Sequence, residues 1–368
     1  MSKHLAIIGA SYLQLPLIIR AKELGYVTHV FAWAAGDIGE AAADHFYPIS
    51  IVEKEEILAK CREIRICGIC SIASDLASVT VNYVANAMGL TGNTMEATRK
   101  STNKYEMRNA FARRGDPSPA SFLVDADTEL DALDLTFPVI VKPTDRSGSR
   151  GIFKLDSREQ LQAAVHAALE QGFEHKVLIE EYAQGQEYSV EYISYHGQHH
   201  FLAMTLKYTT GAPHFIETGH LEPAPVDDAT LKRVQSVVEH ALDTLGIENG
   251  ASHSELKISS DGTIRIIEIG GRMGGDCIGS DLVYYSTGVD FTRAVIQVAV
   301  GEEPDLRPVH PPIPARVVFL FDQKDVDELE RLQREEPERI LRIVDLHLEF
   351  LGQITDSSNR AGCYIVRA

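Results

Sequence analysis

The segment Ile264–Asp276 reads IRIIEIGGRMGGD. Glu268 stands at the end of an aliphatic run, and Arg272 follows it after Gly270 and Gly271. A second glutamate, Glu255, lies on a neighbouring apolar run, and Ser259-Ser260-Asp261-Gly262 between the two runs reads as a hairpin turn. Two adjacent antiparallel strands would then each present one glutamate. Paired carboxylates on rigid strands suit Mg²⁺, a hard cation that carries substrate phosphates. An arginine beside them suits charge stabilisation on a phosphoryl group in transfer.

A second group lies upstream. Phe137–Lys142 reads FPVIVK and is closed by Pro143. A lysine ending a buried apolar strand is costly unless it meets an anion. Thr144–Gly151 follows, a Ser/Gly loop with Arg146 and Arg150, whose small residues let backbone N–H groups approach phosphates. A plain hairpin turn is the bland alternative, since Ile152–Leu155 reads as another strand. Asp75 follows an apolar strand at the carboxyl edge, where open parallel sheets bind ligands. The competing reading is a helix N-cap made by Ser74 or Asp75. Cys67-x-x-Cys70 has redox or metal spacing, but alternation on an apolar strand points its thiols to opposite faces. Buried thiols are the better reading.

These residues need a large frame. The chain has 368 residues, 44% hydrophobic and 24% charged, which suits an ordinary globular protein of two or three domains. A net charge of −18 argues against a general nucleic-acid surface and against anionic membranes. Met1-Ser2-Lys3-His4 leads straight into a strand and no apolar run approaches a membrane span, so the expectation is a cytoplasmic protein. Strands at His4–Gly9, Val27–Trp33, Asp44–Ser50 and Gly68–Ile72 alternate with helices at Ala10–Gly25, Glu53–Ile64 and Leu76–Met88, the pattern of a doubly wound parallel sheet. Its first turn, Gly9–Gln14, lacks G-x-G-x-x-G, which disfavours a dinucleotide site. Thr94–Arg114 reads as one polar helix with a solvated charged face, Thr128–Leu135 as a helix, and Arg158–Gln171 and Val226–Leu245 as amphipathic helices. Glu187–Ser194 and His199–Leu206 alternate like paired strands. The proline-rich stretch Gly301–Pro314 reads as a linker before a small α/β element.

Taken together these features resemble the ATP-grasp superfamily, over nearly the whole chain and most closely from Lys104 to Arg272. The spacing is most similar to single-chain carboxylate–amine ligases such as the bacterial L-amino-acid (dipeptide) ligases. The resemblance implies an α/β and α+β architecture: an N-terminal Rossmann-like domain over 1–97, a two-part ATP-grasp domain over 98–305, and a C-terminal domain over 306–368. It implies ATP with Mg²⁺ or Mn²⁺ as cofactors, small-molecule carboxylate and amine substrates, and a homodimer. Lys104 and Lys142 match the lysines that reach nucleotide phosphates. Ser147, Gly148, Ser149, Arg150 and Gly151 match the loop that closes over them. Glu180, Glu181, Tyr182 and Ala183 match the hinge that binds the adenine edge through backbone groups, and Glu187 matches the ribose carboxylate. Glu255 and Glu268 match the metal ligands, and Arg272 the arginine that steadies the reactive phosphate. Many relatives read Glu-x-Asn-x-Arg here; this chain has Gly270 in place of the asparagine, as in the amino-acid ligase branch.

The implied activity is ATP-dependent formation of an amide or peptide bond through an acyl phosphate. Within it, Lys207 is expected to reach phosphate and His220 to meet the acyl phosphate or the amine proton. Gly274 and Gly275 are expected to offer backbone N–H groups to the substrate, and Asp75 to hold a substrate amino group. Without the resemblance, His220 reads as a hydrogen-bonded surface-loop histidine, as does His214. Activation of formate or bicarbonate, as in carbamoyl-phosphate-synthase-like enzymes, is the alternative chemistry. A non-catalytic nucleotide-binding protein is the alternative class.

Overall fold

The structure, a computed structural model, describes residues 3–146, 151–212, 215–354 and 360–368. The chain opens with β1 (Lys3–Ile8), α1 (Leu15–Glu23), β2 (Tyr26–Phe31), α2 (Ile38–Ala42), β3 (His45–Tyr47), α3 (Lys54–Ile64), β4 (Gly68–Cys70) and α4 (Asp75–Met88). These strands form a wholly parallel sheet in the order β3-β2-β1-β4, as alternation predicts. Leu5, Ile7, Leu17 and Ile18 fill one face and Ala6, Ile8, Ile57 and Ile69 the other, so helices cover both sides. Cys70 is buried and Cys67 only partly so, and all five cysteines are free thiols.

The expected single helix over 94–114 is broken in two, α5 (Met95–Thr102) and α6 (Lys104–Arg114). Asn103 ends the first, and its side chain accepts from the Tyr105 and Glu106 amides to cap the second. The break places Lys104 in the first turn of α6, where it turns inward rather than onto a solvated face. Next come β5 (Ser121–Val124), β6 (Val139–Pro143), β7 (Phe153–Leu155), α7 (Leu161–Gln171) and β8 (Val177–Glu181), with the strands in the order β5-β8-β6-β7. The helix expected at 128–135 is only a single 3₁₀ turn, Leu130–Ala132. Leu130, Leu133 and Leu135 lie against the small core under this sheet instead of forming a helical stripe.

The rest comprises β9 (Gln186–Tyr195), β10 (Gln198–Thr209), β11 (Glu217–Glu222), α8 (Asp228–Leu245), β12 (Gly250–Ile258), β13 (Ile264–Gly270), α9 (Val283–Thr287), α10 (Phe291–Ala299), β14 (Ala315–Phe319), α11 (Gln323–Glu335), β15 (Ile340–Val344) and β16 (Cys363–Arg367). One antiparallel sheet takes the order β13-β12-β9-β10-β11-β14-β16-β15. The strands beyond the proline-rich stretch therefore extend the central sheet through β11 and β14. One face of its β9–β12–β13 end is packed by Met107, Phe111, Val234, Val238 and Leu242 of α6 and α8. The opposite face carries the polar groups of the site.

Candidate functional site

A bulge decides where Glu268 points. From Leu256↔Ile266, regular pairing of β12 with β13 would set Glu255 against Ile267 and leave Glu268 on the core face. Instead the register shifts between Glu255 and Leu256, and Glu255 pairs directly with Glu268. Ile264, Ile266 and Ile269 keep to the core, while Ile267 and Glu268 line a cleft. The bulge is held from outside the sheet: Arg108 on α6 donates from Nη2 to the Ile267 carbonyl at 2.6 Å. The same cleft is lined by Asp75, Lys104, Lys142, Glu180, Glu181, Tyr182, Ala183, Glu187, Glu255 and Arg272. Residues as far apart in sequence as Asp75 and Arg272, 197 positions, thus converge on one surface.

Each of the paired glutamates holds a lysine. Lys104 Nζ donates to Glu268 Oε1 at 2.8 Å and to the Arg146 carbonyl at 2.8 Å. Burial pulls the Lys104 pKa down, but the Glu268 carboxylate overcomes this and raises it. Lys207 Nζ donates to Glu255 Oε1 at 2.5 Å and lies 3.2 Å from Glu187 and 3.6 Å from Glu217. Burial again opposes the charge, yet Glu255, Glu187 and Glu217 raise Lys207 well above the ordinary lysine value. Lys207 stands behind these carboxylates and does not line the cleft.

Lys142 finds its anion within the chain. It pairs with Glu180, which also accepts from Arg108 Nε at 2.9 Å and Arg108 Nη2 at 3.3 Å. The three side chains are only 2–6% exposed. Burial raises and the Arg108 and Lys142 charges lower the Glu180 carboxyl, and the charges win. Burial, reinforced by Arg108 and Lys104, leaves Lys142 below its ordinary value. Arg108 Nη1 is buried and has no hydrogen-bond partner among the described residues. The carboxylate of Glu180 is thus committed to the two cations. At the hinge, the Glu181 amide donates to the Ala120 carbonyl at 3.0 Å and the Tyr182 amide to the Pro138 carbonyl at 3.1 Å. Ile140, Ile152, Phe215 and Ile267 supply an apolar lining beside it.

Several expectations are revised. Ser74, not Asp75, caps α4, its Oγ accepting from the Ala77 amide at 3.2 Å. The Asp75 carboxylate is occupied by Arg272, which donates from Nε at 2.9 Å and Nη2 at 3.1 Å. Burial opposes but the Arg272 charge prevails, holding Asp75 below the usual carboxylate range. His220 is neither on a surface loop nor in the cleft. It is fully buried on β11 opposite Lys207, with its Nε2 4.0 Å from Asp276 and its ring edge-on to Phe319. Neither ring nitrogen has a hydrogen bond among the described residues, and burial lowers its pKa. The Gly274 amide donates to Glu191 Oε2 at 3.0 Å and so is already engaged, while Gly275 packs against Ala73. Ser147, Gly148, Ser149, Arg150 and His214 lie outside the described residues. Gly151 is described and takes φ +69°, but it does not line the cleft.

Sequence reading missed Arg108, Glu191 and His253. Glu191 is fully buried, pairs with His253 Nδ1, and leaves His253 Nε2 3.4 Å from Glu255 Oε1. Burial disfavours the charged imidazole, but Glu191 outweighs it and raises His253 to about 9. The signals were periodicities: Arg108 lies one helical turn from Lys104, His253 two strand positions from Glu255, and Glu191 four from Glu187.

Glu255 and Glu268 fit a hard cation. They are opposed oxygen donors on paired strands, and each already holds a lysine ammonium. Two protein carboxylates completed by phosphate oxygens are how Mg²⁺ is commonly held at nucleotide sites.

Comparison with known proteins agrees with this geometry. A family model described as an ATP-grasp domain matches residues 135–281. The chain is 32% identical over 170 residues to a D-alanine–D-alanine ligase of Hydrogenovibrio crunogenus, covering 44% of this chain and 52% of that one. It is 27% identical over 243 residues to an alanine–anticapsin ligase of Bacillus subtilis, covering 60% and 51% respectively. The chain thus spans about half the length of the curated relatives it matches. The crystal structure of an L-amino acid ligase from Bacillus licheniformis superposes with a TM-score of 0.83 at 23% identity, covering 99% of this chain and 93% of that one. The chain carries an ATP-grasp domain, and its architecture as a whole is the ATP-grasp fold.

Proposed function

We propose that the protein is an ATP-dependent carboxylate–amine ligase that joins amino-acid-like substrates through an acyl phosphate. One observation carries the reading. The bulge in β13 turns Glu268 to face Glu255 in a cleft that also holds Lys104, Lys142 and Arg272. This arrangement suits two anions that must be brought together against their repulsion, a nucleotide triphosphate and a carboxylate. The ligases among the matched relatives, joining alanine to alanine or to anticapsin, support the same reading.

Each residue has a task in this account. The apolar hinge beside Ala183 takes the adenine, and Glu187 the ribose hydroxyls. Lys104 and Lys142 neutralise the phosphates, and Lys104 exchanges Glu268 for a phosphate oxygen as the nucleotide enters. Glu255 and Glu268 are the residues that would hold Mg²⁺, which supplies charge neutralisation and polarises the transferring phosphoryl group. Lys207 keeps Glu255 and Glu187 in place from behind. Arg272 meets the phosphoryl oxygens as charge shifts toward them. The substrate carboxylate attacks the terminal phosphorus and ADP leaves. The amine of the second substrate then attacks the acyl carbon and phosphate leaves. Water must be excluded during the lifetime of the acyl phosphate, and the loop over 147–151 is the segment assigned to that work.

Phosphate release from ATP, measured across amino acids singly and in pairs and with formate and bicarbonate, tests the reading. Release that requires two amino acids is expected. Release with bicarbonate or formate alone would move the assignment to one-carbon chemistry, and no carboxylate-dependent release with nucleotide still bound would remove the enzymatic reading.

A further inference from the structure

The pair formed by Asp75 and Arg272 crosses between two parts of the fold. Asp75 begins α4 of the N-terminal sheet, and Arg272 follows β13 of the central sheet. Because Ser74 makes the helix cap, the Asp75 carboxylate is spared for other work. Its two oxygens take Arg272 Nε and Nη2, a bidentate fork that fixes the guanidinium plane. Arg272 Nη1 donates to the Met273 carbonyl at 3.3 Å. These bonds use three of the five guanidinium N–H groups. The two that remain are those Arg272 can offer to a ligand.

The fork lies directly over Gly270. A Cβ placed there would stand 2.8 Å from Asp75 Oδ1, 3.2 Å from Arg272 Nε and 3.4 Å from Arg272 Cζ. The first distance is shorter than real Cβ atoms show, so a substituent at 270 must shift the Asp75 carboxylate from the place where it meets the arginine. A hydrogen bond and a close approach of glycine mark the same seam. The Ala73 amide donates to the Met273 carbonyl at 3.1 Å, and a Cβ at Gly275 would meet the Ala73 Cβ at 3.3 Å. The β4–α4 loop is thereby registered against the segment that carries Arg272.

We propose that Asp75 is the positioning residue for Arg272, and that residue 270 is glycine because the Asp75–Arg272 fork occupies the space a side chain would need. The proposal rests on the reading of Arg272 as the group that meets the terminal phosphate. Asp75 does not touch the substrate; it orients the two free N–H groups toward the phosphoryl oxygens. The sheet domain thereby contributes to phosphate recognition without supplying a ligand.

The test compares dissociation constants for Mg·ATP and Mg·ADP in full-length wild type, Asp75→Ala, Asp75→Asn, Gly270→Ala, Asp75→Ala/Gly270→Ala and Arg272→Ala, with urea midpoints as the fold control. The preference for ATP over ADP should fall by ~10-fold in Asp75→Ala and in Gly270→Ala, the scale of a lost charge-assisted contact, with ADP affinity held within about 2-fold. A general structural defect would weaken both nucleotides together. Asp75→Asn keeps the shape and one acceptor, so its loss should be intermediate; it also carries the test should Asp75→Ala fail to fold. In the double variant the loss should equal that of Asp75→Ala alone, because the added methyl has no fork to displace. A wild-type preference in Asp75→Ala, or a Gly270→Ala loss that adds in full to that of Asp75→Ala, would overturn the proposal while an Arg272→Ala loss left the role of Arg272 standing. An unchanged preference in Arg272→Ala would overturn that underlying role as well.

Discussion

Replacing Glu180 by alanine should expose how the second lysine is held. The carboxylate is 2% exposed and is shared by Arg108, 3% exposed, and Lys142, 6% exposed. Its removal leaves two buried cations 34 residues apart in sequence but side by side in the cleft wall. Breaking one buried pair costs about 3–5 kcal/mol, and the three-residue cluster should lie in that range rather than double it. The reason is that Lys142 can shed its proton whereas Arg108 cannot. Burial already depresses Lys142 with Glu180 present, and without Glu180 it falls further. A depressed lysine gives no penalty above its unfolded pKa of 10.5, and the penalty grows as pH falls from there to the folded value. Glu180→Ala should therefore lose more stability at pH 7 than near pH 10. Urea melts at both values read the difference, with Lys142→Met/Glu180→Ala as the partner variant. The double variant should be more stable than Glu180→Ala, because only Arg108 is left uncompensated. A loss below about 1 kcal/mol, or one that does not change with pH, would refute the reasoning.

Three further outcomes follow from the geometry. Glu222 is fully buried, accepts from Thr205 Oγ1 and Ser286 Oγ at 2.5 Å each, and is raised by burial to about 7. A raised carboxyl stabilises below its unfolded value and loses that contribution as pH rises to about 7, so Glu222→Gln should remove a fall of about 3 kcal/mol between pH 4.5 and 7 in a urea-melt series. Glu268→Gln keeps the shape but removes charge from the cation site and from beside buried Lys104, and should lower turnover by ~10²–10³-fold together with a lower melting temperature; near-normal turnover would sink the metal assignment. Deleting Ile267 removes the bulge but leaves Glu268 next after Ile266, opposite Glu255 on the cleft face, so nucleotide affinity should stay within about 10-fold of wild type in titrations that also follow stability; a larger loss would mean that the bulged residue itself holds the site.

Much of this site was legible in the residues. The turn at 259–262 and the apolar runs around it predicted the hairpin, and the lone lysine ending FPVIVK announced a buried anion. That the anion is Glu180 of the same chain was hidden, because the pairing of β6 with β8 is set by distant sequence. The bulge was hidden for the same reason: its lock is an arginine 159 residues away on α6. Strict alternation along Ile264–Gly270 would have assigned Glu268 to the core. Asn103 was a readable cap signal within an otherwise continuous helical pattern, and it explains why Lys104 turns inward. The helix expected over 128–135 failed because so short a segment cannot repay nucleation alone, and its leucines found better burial against the sheet. The burial of His220 and Lys207 was unreadable for a related reason. The glycine-interrupted stretch between them is too polar to read as simple core, whereas its two ends are directly paired, buried strand residues.

The central claim is that a substrate carboxylate is phosphorylated before the amine attacks. The most direct measurement supplies a turning-over substrate pair in which the carboxylate donor carries ¹⁸O, and follows the label by mass spectrometry. One ¹⁸O atom should appear in each inorganic phosphate released, because the oxygen that attacks phosphorus leaves with it when nitrogen takes its place. Phosphate containing no substrate oxygen, with the amide still formed, would contradict the account.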